Sequence, residues 1–377
     1  MQRVNRVVGI VMVGMLMSSC AKETLIKQAA MGDPASVEIE ANERAGDNRF
    51  VMQNQEIPTV TDGTRAANIP GNVGWRLIAE LSSPNFMGRT LSATHVTLNG
   101  DMAYVAYKNE GQGTFSVIEA IDLSDTQRPQ VVNRLDLPSS LVNSIEVQEA
   151  ANGNPDRLWL ALSDSQHGGM PVAVDLAPNG ALTTDITAQL MSRDGGAAPS
   201  EATSITTTSP DKTRFASLVA GADARILIGD PATMTILKTI EIPAIVQDGD
   251  AEITFDEGNP TTVLVAAGSD GVQAYDIKSG SLVNSSPDLL VQRGSSSGVT
   301  TDEDFVYMAN GSDGLAICKS SSLIGVDLQP VVIFNPKSFA APATHVAVDG
   351  EWVFLANGEA GLSVIRQHTG TLEGLRK

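Results

Sequence analysis

Ala93-Thr94-His95-Val96-Thr97-Leu98-Asn99-Gly100-Asp101-Met102-Ala103-Tyr104-Val105-Ala106 aligns without a gap on Ala343-Thr344-His345-Val346-Ala347-Val348-Asp349-Gly350-Glu351-Trp352-Val353-Phe354-Leu355-Ala356. Gly298-Val299-Thr300-Thr301-Asp302-Glu303-Asp304-Phe305-Val306-Tyr307-Met308-Ala309 fits the same frame. Each stretch reads as two apolar strands around a tight turn. Asn99-Gly100 and Asp349-Gly350 are the pairs favoured at the centre of a two-residue hairpin, where both residues take positive φ. The second strand then runs into a glycine-rich turn, Asn310-Gly311-Ser312-Asp313-Gly314 or Asn357-Gly358-Glu359-Ala360-Gly361, and a third strand follows. Ala267-Gly268-Ser269-Asp270-Gly271-Val272 is a third copy of that turn. In the first unit a fourth strand, Gln130 to Leu137, comes after Pro129.

A fixed period of this length marks a repeat architecture. Units fall at 93–138, 142–190, 202–243, 250–290, 296–336 and 343–377. Their equivalent first-strand positions are His95, Ser144, Ser204, Glu252, Gly298 and His345, spaced by 49, 60, 48, 46 and 47 residues. Short antiparallel strands, four to a unit, predict an all-β protein and specifically a β-propeller of six four-stranded blades. A seventh blade within the longer second and third units is the alternative, and a β-sandwich or β-solenoid is the rival architecture. The last unit has only a weak fourth segment, Thr371 to Arg376. Trp75-Arg76-Leu77-Ile78-Ala79-Glu80-Leu81 resembles the fourth strand Val132 to Pro138, so residues 75–81 are expected to complete the last blade and close the ring.

The repeat resembles the LVIVD family of bacterial propellers. The matching residues are Ala103-Tyr104-Val105-Ala106, Gly314-Leu315 and Ile121-Asp122-Leu123-Ser124-Asp125. That resemblance implies an exported, often surface-attached protein, and it carries no catalytic residues to transfer.

The N-terminus fits export. Arg3 and Arg6 precede an apolar run from Val7 to Met17 that is too short to span a bilayer as a helix. Leu16-Met17-Ser18-Ser19-Cys20 resembles the bacterial lipobox, which implies lipidation of Cys20 after cleavage of residues 1–19. Each buried methylene stabilises such an anchor by about 0.8 kcal/mol, so several acyl chains hold firmly. Ala21 after the cysteine points to the outer membrane. Residues 20–73 lack a steady period and read as a tether, leaving 74–377 as the folded domain. With Cys20 acylated, Cys318 has no disulfide partner and reads as a small buried filler.

The formal net charge of −19 argues against nucleic acid as a partner. No cofactor motif, helical His-Glu-x-x-His, zinc cysteine cluster or Gly-x-Ser-x-Gly elbow occurs. Asp302-Glu303-Asp304 lacks the full calcium-loop pattern and reads as a turn.

Two groups of residues remain as candidates for binding. Ring closure would bring His95 and His345 into neighbouring blades at the channel mouth, with Glu252 across it and Ser144 and Ser204 on the same ring. Histidine is a common metal ligand, but this set has no diagnostic spacing, and repeat duplication with each histidine hydrogen-bonded to a neighbouring loop is the preferred reading, with no metal assigned. The second group is the turn face: Asn109, Asp164, His167, Asp270, Asn310, Asp313 and Asn357. Small polar loops on a rigid frame suit recognition, and Asn and Asp also suit tight turns for conformational reasons alone. The reading is a membrane-anchored binding or scaffold module for a protein or polysaccharide at the cell envelope. Its rival is a metal-assisted hydrolase or lyase at the channel mouth.

Overall fold

The computed structural model describes residues 38–41, 49–58, 73–109, 114–125, 128–149, 156–164, 168–188, 201–206, 213–220, 224–230, 235–242, 252–256, 259–266, 272–286, 298–302, 304–319, 330–334 and 341–369. All regular structure among them is β. Six sheets of antiparallel strands follow one another along the chain. The first holds Ser92–Asn99, Met102–Lys108, Ser116–Asp122 and Gln130–Leu137. The first strands of the others are Ser140–Gln148, Glu201–Thr206, Glu252–Asp256, Gly298–Thr301 and His345–Asp349. These six strands pack side by side in sequence order, and the last packs against the first. The chain is a six-bladed β-propeller.

Blade boundaries fall within a few residues of the repeat, and no seventh sheet of this kind occurs among the described residues. Val73–Leu81 pairs with Leu362–Thr369 and serves as the fourth strand of blade six, as residues 75–81 were expected to do. The segment Thr371 to Arg376 lies outside the described residues. The seam between blades six and one is packed like an interior. Ala79, Leu81 and Val364 on one side meet Val96, Val105 and Val117 on the other, all buried. Burying each such side chain contributes about 1.5–3 kcal/mol.

Two features differ from the sequence reading. The stretch read as a tether contains two strands. Glu38–Ala41 adds a fifth strand to blade one and Phe50–Ile57 adds one to blade six. Phe50–Ile57 is exposed over most of its length, and an edge strand without a buried face shows no alternation to read. Its hold on the domain comes partly from Arg49, whose guanidinium grips both oxygens of Glu119 at 2.7 Å and donates to the Ser82 carbonyl at 2.9 Å. Glu119 is buried in blade one, so this contact bolts the N-terminal segment across the seam.

The hairpin turns sit one residue later than expected. Asn99 pairs with Met102 and Asp349 with Trp352, so the central residues are Gly100-Asp101 and Gly350-Glu351. Only the glycines have positive φ, 55° and 53°. Glycine at the first central position, with positive φ there alone, follows the type II′ rule rather than the Asn-Gly rule.

Candidate functional site

The innermost strand of each blade has an unpaired edge facing the channel, and its amides need acceptors. Four of the six equivalent positions each supply one by a single rule. The amide just after the ring position in one blade donates to the ring side chain of the preceding blade. Ile205 donates to Ser144 Oγ at 3.4 Å and Ile253 to Ser204 Oγ at 3.2 Å. Val299 donates to Glu252 Oε2 at 3.0 Å, and across the closing seam Val96 donates to His345 Nδ1 at 3.2 Å. One layer deeper, the Val147 amide reaches Thr97 Oγ1 at 3.4 Å by the same relation.

Two ring positions depart from the rule. Gly298 has no side chain, and a Cβ there would lie 2.7 Å from His345 Cα and 2.8 Å from Glu252 Oε2. Glycine is what lets Glu252 reach its neighbours. The other departure is His95, whose Nδ1 is buried with no hydrogen-bond partner.

The predicted convergence of His95, Glu252 and His345 is present. One nitrogen from each ring and one carboxylate oxygen lie within 4.8 Å of one another. Glu252 Oε1 is 2.8 Å from His95 Nε2 and in hydrogen-bond contact with His345 Nε2. The two rings stack, centroids 3.3 Å apart. Ser144 Oγ stands 3.0 Å from His95 Nε2, and Ser204 Oγ donates to Ser144 Oγ at 3.4 Å. All five residues are buried.

The hydrogen bonds decide the protonation of this cluster. His345 Nδ1 accepts from a backbone N–H, so it carries a lone pair. The neutral ring's proton therefore sits on Nε2 and points at Glu252. A histidine that binds a metal through Nε2 instead carries its proton on Nδ1 and donates it to an acceptor. Val96 offers a donor at that place, so His345 does not fit a metal ligand. The carboxylate of Glu252 is thus held by three N–H groups from blades one, five and six. Burial works to raise its pKa, but the contacts with His345 and His95 outweigh that and hold it below the ordinary carboxylate value. Burial, then the neighbouring His345, lower the pKa of His95 to about 4, so its ring is neutral at pH 7.

Beside this layer the channel holds a cavity of about 130 Å³, lined by Glu252 and His345 themselves together with Thr97, Glu146, Thr206 and Thr254. Its volume matches a few water molecules.

The turn face is less uniform than the sequence suggested. Asn109, Asn310 and Asn357 are buried. The Asn357 side chain donates to Leu355 O at 3.1 Å and Ser363 Oγ at 2.8 Å, and the Asn310 amide closes its turn on Gly314 O at 2.7 Å. These asparagines serve the turns themselves. Asp313 is half-buried in the same turn. Asp164 ends the second strand of blade two, while His167, Asp270 and Cys20 lie outside the described residues. Asp302 accepts from the amides of Asp304 and Phe305, as a turn residue does. Cys318 is fully buried and its thiol is pushed up to about 12 by burial. Sequence reasoning missed the Asn85–Thr90 hairpin, because its central pair, Met87-Gly88, is not a usual turn signal.

No protein-family model matches the sequence, and no curated protein matches it. Among solved structures, the chain is similar to one from Bacteroides uniformis carrying the provisional description 6-phosphogluconolactonase. That similarity has 18% identity and a TM-score of 0.48, over 81% of this chain and 90% of the other.

Proposed function

We propose that this chain is a non-catalytic binding or scaffold propeller of the LVIVD type, anchored by lipid at Cys20 to the outer membrane. It recognises a protein or polysaccharide of the cell envelope through the face that carries the loops leading into the inner strands. One observation carries the reading. The convergent acid–base group at the channel is consumed internally: Glu252 accepts from His95, His345 and Val299, and the residues Glu252, His95 and His345 are 4–5% exposed. A carboxylate so bonded and buried serves the fold. The anchor rests on the lipobox-like Leu16 to Cys20 and on the basic, apolar leader before it.

The chain from Ala21 onward, purified and dialysed against zinc, is expected to carry no stoichiometric metal and to hydrolyse no ester or lactone. It is also expected to retain an envelope component on a column, classed by protease or glycosidase sensitivity. Stoichiometric metal that disappears in His95→Gln and His345→Gln would overturn this reading in favour of the metal-assisted enzyme. Mass spectrometry of the mature N-terminal peptide tests the acyl chains on Cys20.

A further inference from the structure

The loop joining blade six to blade one carries a small hairpin, with Asn85 paired to Thr90 and Phe86 to Arg89. It leaves Leu81, which pairs with the start of the third strand of blade six, and leads into the inner strand of blade one. That places it on the proposed recognition face. Its two central residues, Met87 and Gly88, both have positive φ, 51° and 79°. Such a turn favours Asn-Gly, because a side chain with an ordinary Cβ is strained in the left-handed region. Methionine there gains nothing from the core, since it is 62% exposed.

The base of the hairpin is fixed. The Phe86 ring meets Phe115 edge-on at 5.8 Å, and the Arg134 guanidinium lies 5.6 Å from the Phe86 centroid. Leu91 is fully buried and its amide donates to Pro84 O at 3.0 Å. Thr90 Oγ1 donates to Asn85 Oδ1 at 3.1 Å. Beside Met87 stands Arg89, exposed and without an ion pair among the described residues, in a chain of net charge −19. A rigid mount thus holds out a strained apolar tip and an unpaired cation.

We propose that the Asn85–Thr90 hairpin is a docking finger for a protein partner, with Met87 seated in an apolar socket and Arg89 against acidic groups on its rim. The proposal rests on the binding reading above and narrows it to a protein. An apolar side chain needs an apolar recess to bury it, which a hydrated polysaccharide does not offer. Paired apolar and arginine anchors are how protein interfaces concentrate affinity. Charge complementarity favours an acidic rim, because Arg89 is a local cation on an acidic molecule.

The test places a benzophenone amino acid at Thr90 in the full chain, in the cells that make it, with Asp101 on the opposite hairpin rim as control. The expected result is a discrete, protease-sensitive adduct at Thr90 that is absent at Asp101. Arg89→Glu and Met87→Gly should each cut its yield at least tenfold. Met87→Gly should at the same time raise Tm by roughly 2 °C by relieving the turn, a gain that a purely structural methionine would not give. An adduct indifferent to both substitutions, or one made of lipid or polysaccharide, would overturn the proposal. A chain that captures an envelope component while Thr90 stays silent removes the finger and leaves the binding reading intact. A chain that captures nothing removes both.

Discussion

Lowering the pH from 7.5 to 4.5 is expected to weaken this fold through one buried ring. His95 titrates near 6.5 when unfolded and near 4 when folded. Between those values the unfolded chain binds the proton and the native chain refuses it. The contribution of His95 is therefore fully present above pH 6.5 and is lost as pH falls toward 4. At pH 4.5 the loss from this group is on the order of 2–3 kcal/mol. That is a large share of the stability of an ordinary domain. Urea unfolding of the chain from Ala21, at half-unit steps of pH, measures it, provided the slope m stays constant. Other carboxylates contribute their own acid slope, so the comparison that isolates the ring is His95→Gln. Glutamine can still donate to Glu252 but does not titrate. The variant is expected to have lower stability at pH 7.5 and to lose on the order of 2–3 kcal/mol less than wild type over the interval. If wild type and His95→Gln lose stability in parallel, His95 is not the buried neutral group described here and the closed channel layer is refuted.

Glu252→Ala strands three buried N–H donors, on His95, His345 and Val299, and is expected to cost about 4 kcal/mol in chemical unfolding. A loss under 1 kcal/mol would mean that water reaches the layer. Arg49→Ala leaves the buried Glu119 carboxylate without its guanidinium and should cost about 3 kcal/mol. It should also open the Phe50–Ile57 strand to proteases before the rest of the ring, and uniform cleavage would speak against its role as a bolt. Gly298→Ala forces a Cβ against the His345 backbone and Glu252, and about 2 kcal/mol of destabilisation is expected by thermal unfolding.

The blades were legible because the repeat writes the same burial pattern again and again. Val96, Val299 and Val346 are buried at matched positions, as are Tyr104, Tyr307 and Phe354. The closing strand was legible for the same reason, since Leu77, Ala79 and Leu81 bury the face that a fourth strand buries. Phe50–Ile57 was not, because it buries almost nothing and its place depends on Arg49 and on pairing far along the chain. At the channel the sequence could bring His95, His345 and Glu252 together only through the blade count. It could not say what they do there. That depends on which nitrogen of His345 carries the proton, and the Val96 amide, 249 residues away, fixes it.

That dependence explains the chemistry of most of the ring. Around a propeller channel each inner strand turns unsatisfied amides inward, so a ring position needs an acceptor long enough to reach the next blade. Serine suffices between blades two, three and four, where Ser144 and Ser204 accept from the next blade. Glu252 reaches further, spans the place of Gly298 and touches His345 beyond it, so blade five forgoes a side chain. His345 must then do two things at once, accepting from Val96 and donating to Glu252, and a neutral imidazole is the side chain that presents an acceptor and a donor on opposite edges. A metal at this point would demand the other tautomer and lose the Val96–His345 bond across the seam between blades six and one. The duplicated Ala-Thr-His-Val motif is therefore a closure device first. On the binding reading proposed above, recognition falls to the loops that the closed ring holds in place.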